Sequence, residues 1–142
     1  MNAPRAAILR PSRIAARDRG GGARTIPLVT RATGSTTFMT GITIFAPGAS
    51  IPLHIHDCEE SVCLLEGRAV AEIDGVENTI EPGDVTFISA GVPHRFINAS
   101  ASEEMRIMWT YASVNATRTI VATGETRLID SEHRDTGPGR NT

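Results

Sequence analysis

Hydrophobic positions in this chain recur mostly with a period of two, in short runs cut by glycine, proline and aspartate. That alternation predicts β-strands with one face turned to a core. Thr25–Thr30 is the first candidate, followed by Ser35–Phe45, which ends at Pro47-Gly48. Ser61–Leu65 and Arg68–Ile73 flank Glu66-Gly67, and Asp74-Gly75 is a strong hairpin signal leading into Val76–Ile80. Pro82-Gly83 introduces Asp84–Ile88, Ala90-Gly91 precedes His94–Ile97, and Met105–Tyr111 places Met105, Ile107, Trp109 and Tyr111 on one face. Thr117–Ala122 is a further β-branched run, suited to covering a sheet edge. About eight short strands at this spacing predict an all-β sandwich, jelly roll or closed barrel.

Composition sets the limits. A chain of 142 residues fits one domain, and 40% hydrophobic with 21% charged residues is ordinary for a globular protein. Six arginines stand among residues 1–24 against Asp18 alone, so the net charge of −2 hides a basic arm and an acidic body. An acidic body argues against a nucleic-acid groove. No apolar run approaches a membrane span. The expected organisation is a flexible basic arm over 1–24, a β-domain over 25–130 and a flexible polar tail over 131–142. Met1 to Leu9 lacks the apolar core of a signal peptide, so the expected location is the cytoplasm, with Cys58 and Cys63 as free thiols.

The chemistry concentrates in the histidines. His54-Ile55-His56 puts two imidazoles on one face of a strand, Glu60 opens the next strand, and His94 begins a later one. Three neutral imidazoles and a carboxylate suit one divalent first-row metal and leave coordination positions open. Iron or manganese is favoured, while zinc, nickel, cobalt and copper are also accepted by such a set. Phe96 shares parity with His94, and Phe38, Val62, Leu64, Phe87 and Trp109 join it as candidate lining of an apolar substrate pocket. Tyr111 is the one candidate acid or base near the metal. Arg106 and Arg118 could pair a substrate carboxylate but read better as solvated surface, Cys58 reads as a bystander, and His133 as an uninvolved residue of the polar tail.

The spacing Gly48-x5-His54-x-His56-x3-Glu60-x6-Gly67 resembles the first cupin motif at all its fixed positions. Gly83-x5-Ser89-x-Gly91-x2-His94-x3-Asn98 resembles the second, with Ser89 where that pattern has proline. The resemblance implies a jelly-roll barrel of about six to eight strands. It assigns ligand roles to His54, His56, Glu60 and His94, and structural roles to the motif glycines and Asn98. Spacing to Gly67 and parity with Val62 and Leu64 choose Glu60 over Glu59. Three functions fit such a site: foremost a dioxygenase acting on an aromatic or enolic small molecule, because no ionisable side chain besides the ligands is clearly placed as acid or base; next a non-redox isomerase, lyase or cyclase using the metal as Lewis acid; and last a binding module without turnover. A homodimer made by exchange of terminal strands, over 24–30 or 117–122, is a further expectation from the family.

Overall fold

A computed structural model describes residues 5–133, and these form twelve strands and three short 3-10 turns. The strands are β1 (Arg17–Gly20), β2 (Ala23–Pro27), β3 (Met39–Phe45), β4 (His54–His56), β5 (Glu60–Glu66) and β6 (Ala69–Ile73). They continue with β7 (Val76–Ile80), β8 (Val85–Ile88), β9 (His94–Asn98), β10 (Met105–Tyr111), β11 (Thr117–Ile120) and β12 (Thr126–Leu128). One sheet has the order β1-β2-β3-β10-β5-β8, and the other β12-β11-β4-β9-β6-β7. Every pairing is antiparallel, and the two sheets form a jelly-roll barrel.

Alternation fixes the interior. Strand β10 buries Met105, Ile107, Trp109 and Tyr111, while β5 buries Glu60, Val62 and Leu64 opposite them. From the second sheet come Ala69, Ala71 and Phe96. Burial of this apolar surface is the main force holding the sheets together. Gly41 on β3 gives Trp109 its room, since a Cβ there would lie 2.3 Å from the indole. The expected hairpin at Asp74-Gly75 forms, with positive φ at both residues as a type I′ turn requires. Buried Asn98 braces the barrel end. Its amide donates to the carbonyls of Phe45, Ala46 and Glu103 at 3.2, 3.1 and 2.8 Å, and its oxygen accepts from Ser100 N–H at 2.9 Å.

The termini differ from the expectation. The boundary at residue 24 falls inside β2, and Arg17–Gly20 is itself a strand, joined to β2 by a turn at Gly21-Gly22 in which both residues have positive φ. Leu9 and Ile14 pack on Ile26, Leu28, Ile42 and Ile44 outside the first sheet, so this part of the arm covers apolar surface. Residues 131–133 belong to the turn Ile129–His133, where Ile129 and His133 are buried. The rest of the expected tail lies outside the described residues. Both segments considered for strand exchange pair within the chain: β2 with β1 and β3, and β11 with β4 and β12. Among the described residues no helix is long and apolar enough to cross a membrane.

Candidate metal centre

Strand β4 faces β9 in the register His54↔His94, and its HxH alternation turns both of its imidazoles inward beside that of His94. All three histidines are buried, and their ligand atoms lie within 4.8 Å of one another. Glu60, also buried, reaches the group from the other sheet, with Oε1 2.8 Å from His94 Nε2 and 3.5 Å from His56 Nε2. Glu59 is exposed.

The backbone sets the tautomers. Nδ1 of His54 faces Pro52 O at 2.7 Å, that of His56 faces Thr117 O at 2.9 Å, and that of His94 faces Val92 O at 2.8 Å. A carbonyl can only accept, so each Nδ1 carries the proton and each Nε2 presents a lone pair. Burial, followed by the charge of Arg118, holds His54 well below its ordinary range. Burial also lowers His56 to about 4, against the opposing pull of Glu60. Neutral imidazole is the form that binds metal.

Among the described residues, the Nε2 atoms of His56 and His94 and Oε1 of Glu60 are buried without a hydrogen-bond partner. Acceptor atoms turned toward one another repel unless a cation lies between them. The donor set therefore fits a divalent ion. The loop before His94 is closed by Val92 N–H to Ser89 O at 3.3 Å and tied to the site by Gly91 N–H to His56 O at 2.9 Å. The motif departure at Ser89 disturbs neither contact.

Around this cluster the anticipated lining divides. Phe96 lies 6.3 Å from His94 between ring centroids, and Val62, Leu64 and Trp109 are buried. Phe38 and Phe87 are exposed and do not line the interior. Phe87 alternates out of register with buried Ile88 on β8, and Phe38 precedes the regular part of β3. Tyr111 is buried with its ring 4.7 Å from that of His56. Burial, reinforced by Glu60, pushes the phenol well above its usual range. Cys58 and Cys63 are free and half-buried, and burial pushes the Cys58 thiol up, away from the thiolate form a metal would need.

The burial of three functional candidates escaped the sequence reading. Arg118 is 5% exposed, where solvated surface was expected. It stands opposite His56 on β11, donates to the Tyr111 hydroxyl at 3.3 Å and pairs with Glu132. Arg19 on β1 pairs with the same Glu132 oxygen at 3.2 Å. His133 is buried too, stacked on Trp109 with ring centroids 5.2 Å apart. Arg19, Arg118 and Glu132 adjoin a cleft of about 990 Å³ between β1 and the β11–β12 end of the second sheet, lined also by Arg17, Ile51 and Ile120. The available signal was the parity of Arg118 with Ile120 inside a β-branched run. Arg106, by contrast, lies at the surface beside Glu66 as expected.

An antiparallel jelly-roll barrel with three imidazoles and a carboxylate turned into its interior defines a metal-site barrel protein. The chain belongs to the cupin family, whose Cupin domain matches residues 41–111. It is 34% identical over 94 residues to polyketide synthase CurC of Streptomyces cyaneus, covering 66% of this chain and 60% of that protein. It is 31% identical over 94 residues to tetracenomycin polyketide synthase protein TcmJ of Streptomyces glaucescens, covering 66% of this chain and 63% of that one. The chain thus spans less than two thirds of the length of these relatives. In fold it resembles the polyketide cyclase RemF from Streptomyces resistomycificus, with a TM-score of 0.70, 20% identity and coverage of 87% and 85% of the two chains.

Proposed function

We propose that this cupin is a metal-dependent, non-redox enzyme that closes a ring in a small polyketone chain. The observation that carries this reading is Tyr111: a buried phenol beside the metal cluster, held by Arg118. Non-redox ring closure needs a positioned proton donor, and an oxygenase does not. The polyketide names of the relatives support the same class.

A divalent ion on His54, His56, Glu60 and His94 would polarise a substrate carbonyl as a Lewis acid. Arg118 donates to the phenol oxygen of Tyr111, which leaves the phenol proton free to be given elsewhere. An enolised polyketone already carries a nucleophilic carbon. As that carbon attacks a carbonyl, Tyr111 delivers its proton to the carbonyl oxygen, and the enol O–H proton returns to Tyr111. Nothing is oxidised. Val62, Leu64, Phe96 and Trp109 keep water from the reacting carbons.

The apolar lining also suits a dioxygenase, so the deciding experiment records both chemistries. The metal-loaded protein is given a linear triketone, with ring formation followed by absorbance and oxygen by electrode. Ring closure without oxygen uptake is expected, and Tyr111→Phe should slow it by about 100-fold or more at unchanged metal content. Oxygen consumed in proportion to product would establish the dioxygenase instead.

A further inference from the structure

We propose that Arg19 and Arg118 form a carboxylate subsite at the barrel mouth, which Glu132 fills in the free protein and an acidic ligand takes over. The inference deepens the reading above by assigning a substrate class, a keto acid, to the site that Arg118 joins through its hydrogen bond to Tyr111.

The charges do not balance locally. Arg19 and Arg118 both approach one oxygen, Oε1, of Glu132, so two guanidinium groups share a single carboxylate oxygen. Arg118 is 5% exposed and its Nε has no partner among the described residues. A purely structural ion pair at such burial would be expected to use the guanidinium fork in full, because an unmade hydrogen bond to a buried cation is costly. Here donor capacity is left over, beside a cleft large enough for a ligand.

The element bringing Glu132 is poorly satisfied as well. It is the five-residue turn Ile129–His133, in which buried His133 lies on Trp109 and neither ring nitrogen finds a hydrogen-bond partner among the described residues. Ile129 anchors the start of the turn, buried in the core with its N–H on Ala116 O at 2.9 Å, while side-chain ties hold its end to β1 and β11: Arg17 Nε to His133 O at 3.3 Å, and the two arginines to Glu132. A ligand carboxylate would replace Glu132 in kind.

The position of the subsite constrains the ligand. One amino group of Arg118 meets Glu132 and the other meets the Tyr111 hydroxyl. A single guanidinium therefore bridges the carboxylate position and the proton donor. The matching ligand carries a carbonyl oxygen a few bonds from its carboxylate.

Equilibrium binding of ortho-acetylbenzoate and of its methyl ester to the purified protein, by calorimetry, tests this without any turnover, so failure of the ring-closure reading does not decide it. Glu132→Gln should tighten acid binding by about 10-fold or more, and Arg19→Gln should weaken it by a similar factor, with the ester unaffected by either. Glu132→Asp, which retracts the carboxylate, should show a smaller gain for the acid and serves if the glutamine variant does not fold. Equal effects on acid and ester, or an acid affinity unmoved by the Glu132 variants, would overturn the subsite.

Discussion

Two polar clusters meet at Arg118 and are held by different means. At the β4–β9 wall, each imidazole is fixed through Nδ1 by a backbone carbonyl, so its orientation follows from the sheet itself. At the mouth, Arg19, Arg118 and Glu132 hold mainly one another, and Glu132 rides on a five-residue turn. The wall is preorganised for an ion, which needs fixed lone pairs. The mouth is an exchangeable arrangement, since one carboxylate can be traded for another without moving a strand. Arg118 belongs to both regions, opposite His56 in register and in contact with Glu132.

Removing a wall imidazole should have the largest effect. His54→Ala and His94→Ala are expected to lower metal retention by at least about 100-fold, read as metal content after dialysis. Arg19→Gln should leave that content unchanged. Full retention in both histidine variants would end the ligand assignment, and loss in Arg19→Gln would erase the distinction between wall and mouth.

Acid should strain the mouth next. His133 is lowered from 6.5 to about 4, chiefly by burial, so the unfolded chain takes up its proton before the folded one does. Stability is therefore full above pH 6.5 and falls as the pH drops toward 4, by on the order of 3 kcal/mol from this residue. Urea unfolding across that window should show a shallower pH slope in His133→Phe than in the parent. Identical slopes would mean that His133 is not buried as a neutral ring.

Asn98→Ala, which removes the amide donor to the carbonyls of Phe45, Ala46 and Glu103, should cost about 2 kcal/mol in the same assay and leave ligand binding at the mouth intact. The smallest change is expected at the exposed pair Arg24–Glu104, where Arg24→Gln should shift stability by less than about 0.5 kcal/mol. A large effect there would show that exposure is a poor guide to which ion pairs matter in this barrel.

The wall was legible in the sequence and the mouth was not, for a physical reason. Alternation in Glu60–Glu66 and Met105–Tyr111 exposes the buried faces directly, because each residue's side follows from its neighbour's. The histidine pair and Glu60 stand on or beside such strands, so local parity placed them. Arg118 and Arg19 owe their burial to Glu132, which is distant from Arg19 in sequence and stands in a polar stretch. A charged residue buried by a tertiary ion pair has no local hydrophobic signature. His133 was hidden in the same way, since its partner Trp109 lies on another strand. Phe38 and Phe87 show the converse: aromatic character suggested the interior, while strand register left both outside.

Trp109 is the sole tryptophan of the chain, with its ring against His133 and its indole N–H donating to Thr43 at 2.9 Å. The protein thus carries an optical gauge of its own mouth. Lifting the turn exchanges an imidazole neighbour for solvent or ligand, and the emission of one indole should change in colour and intensity. Replacement of Glu132 by a ligand carboxylate is then readable without a label.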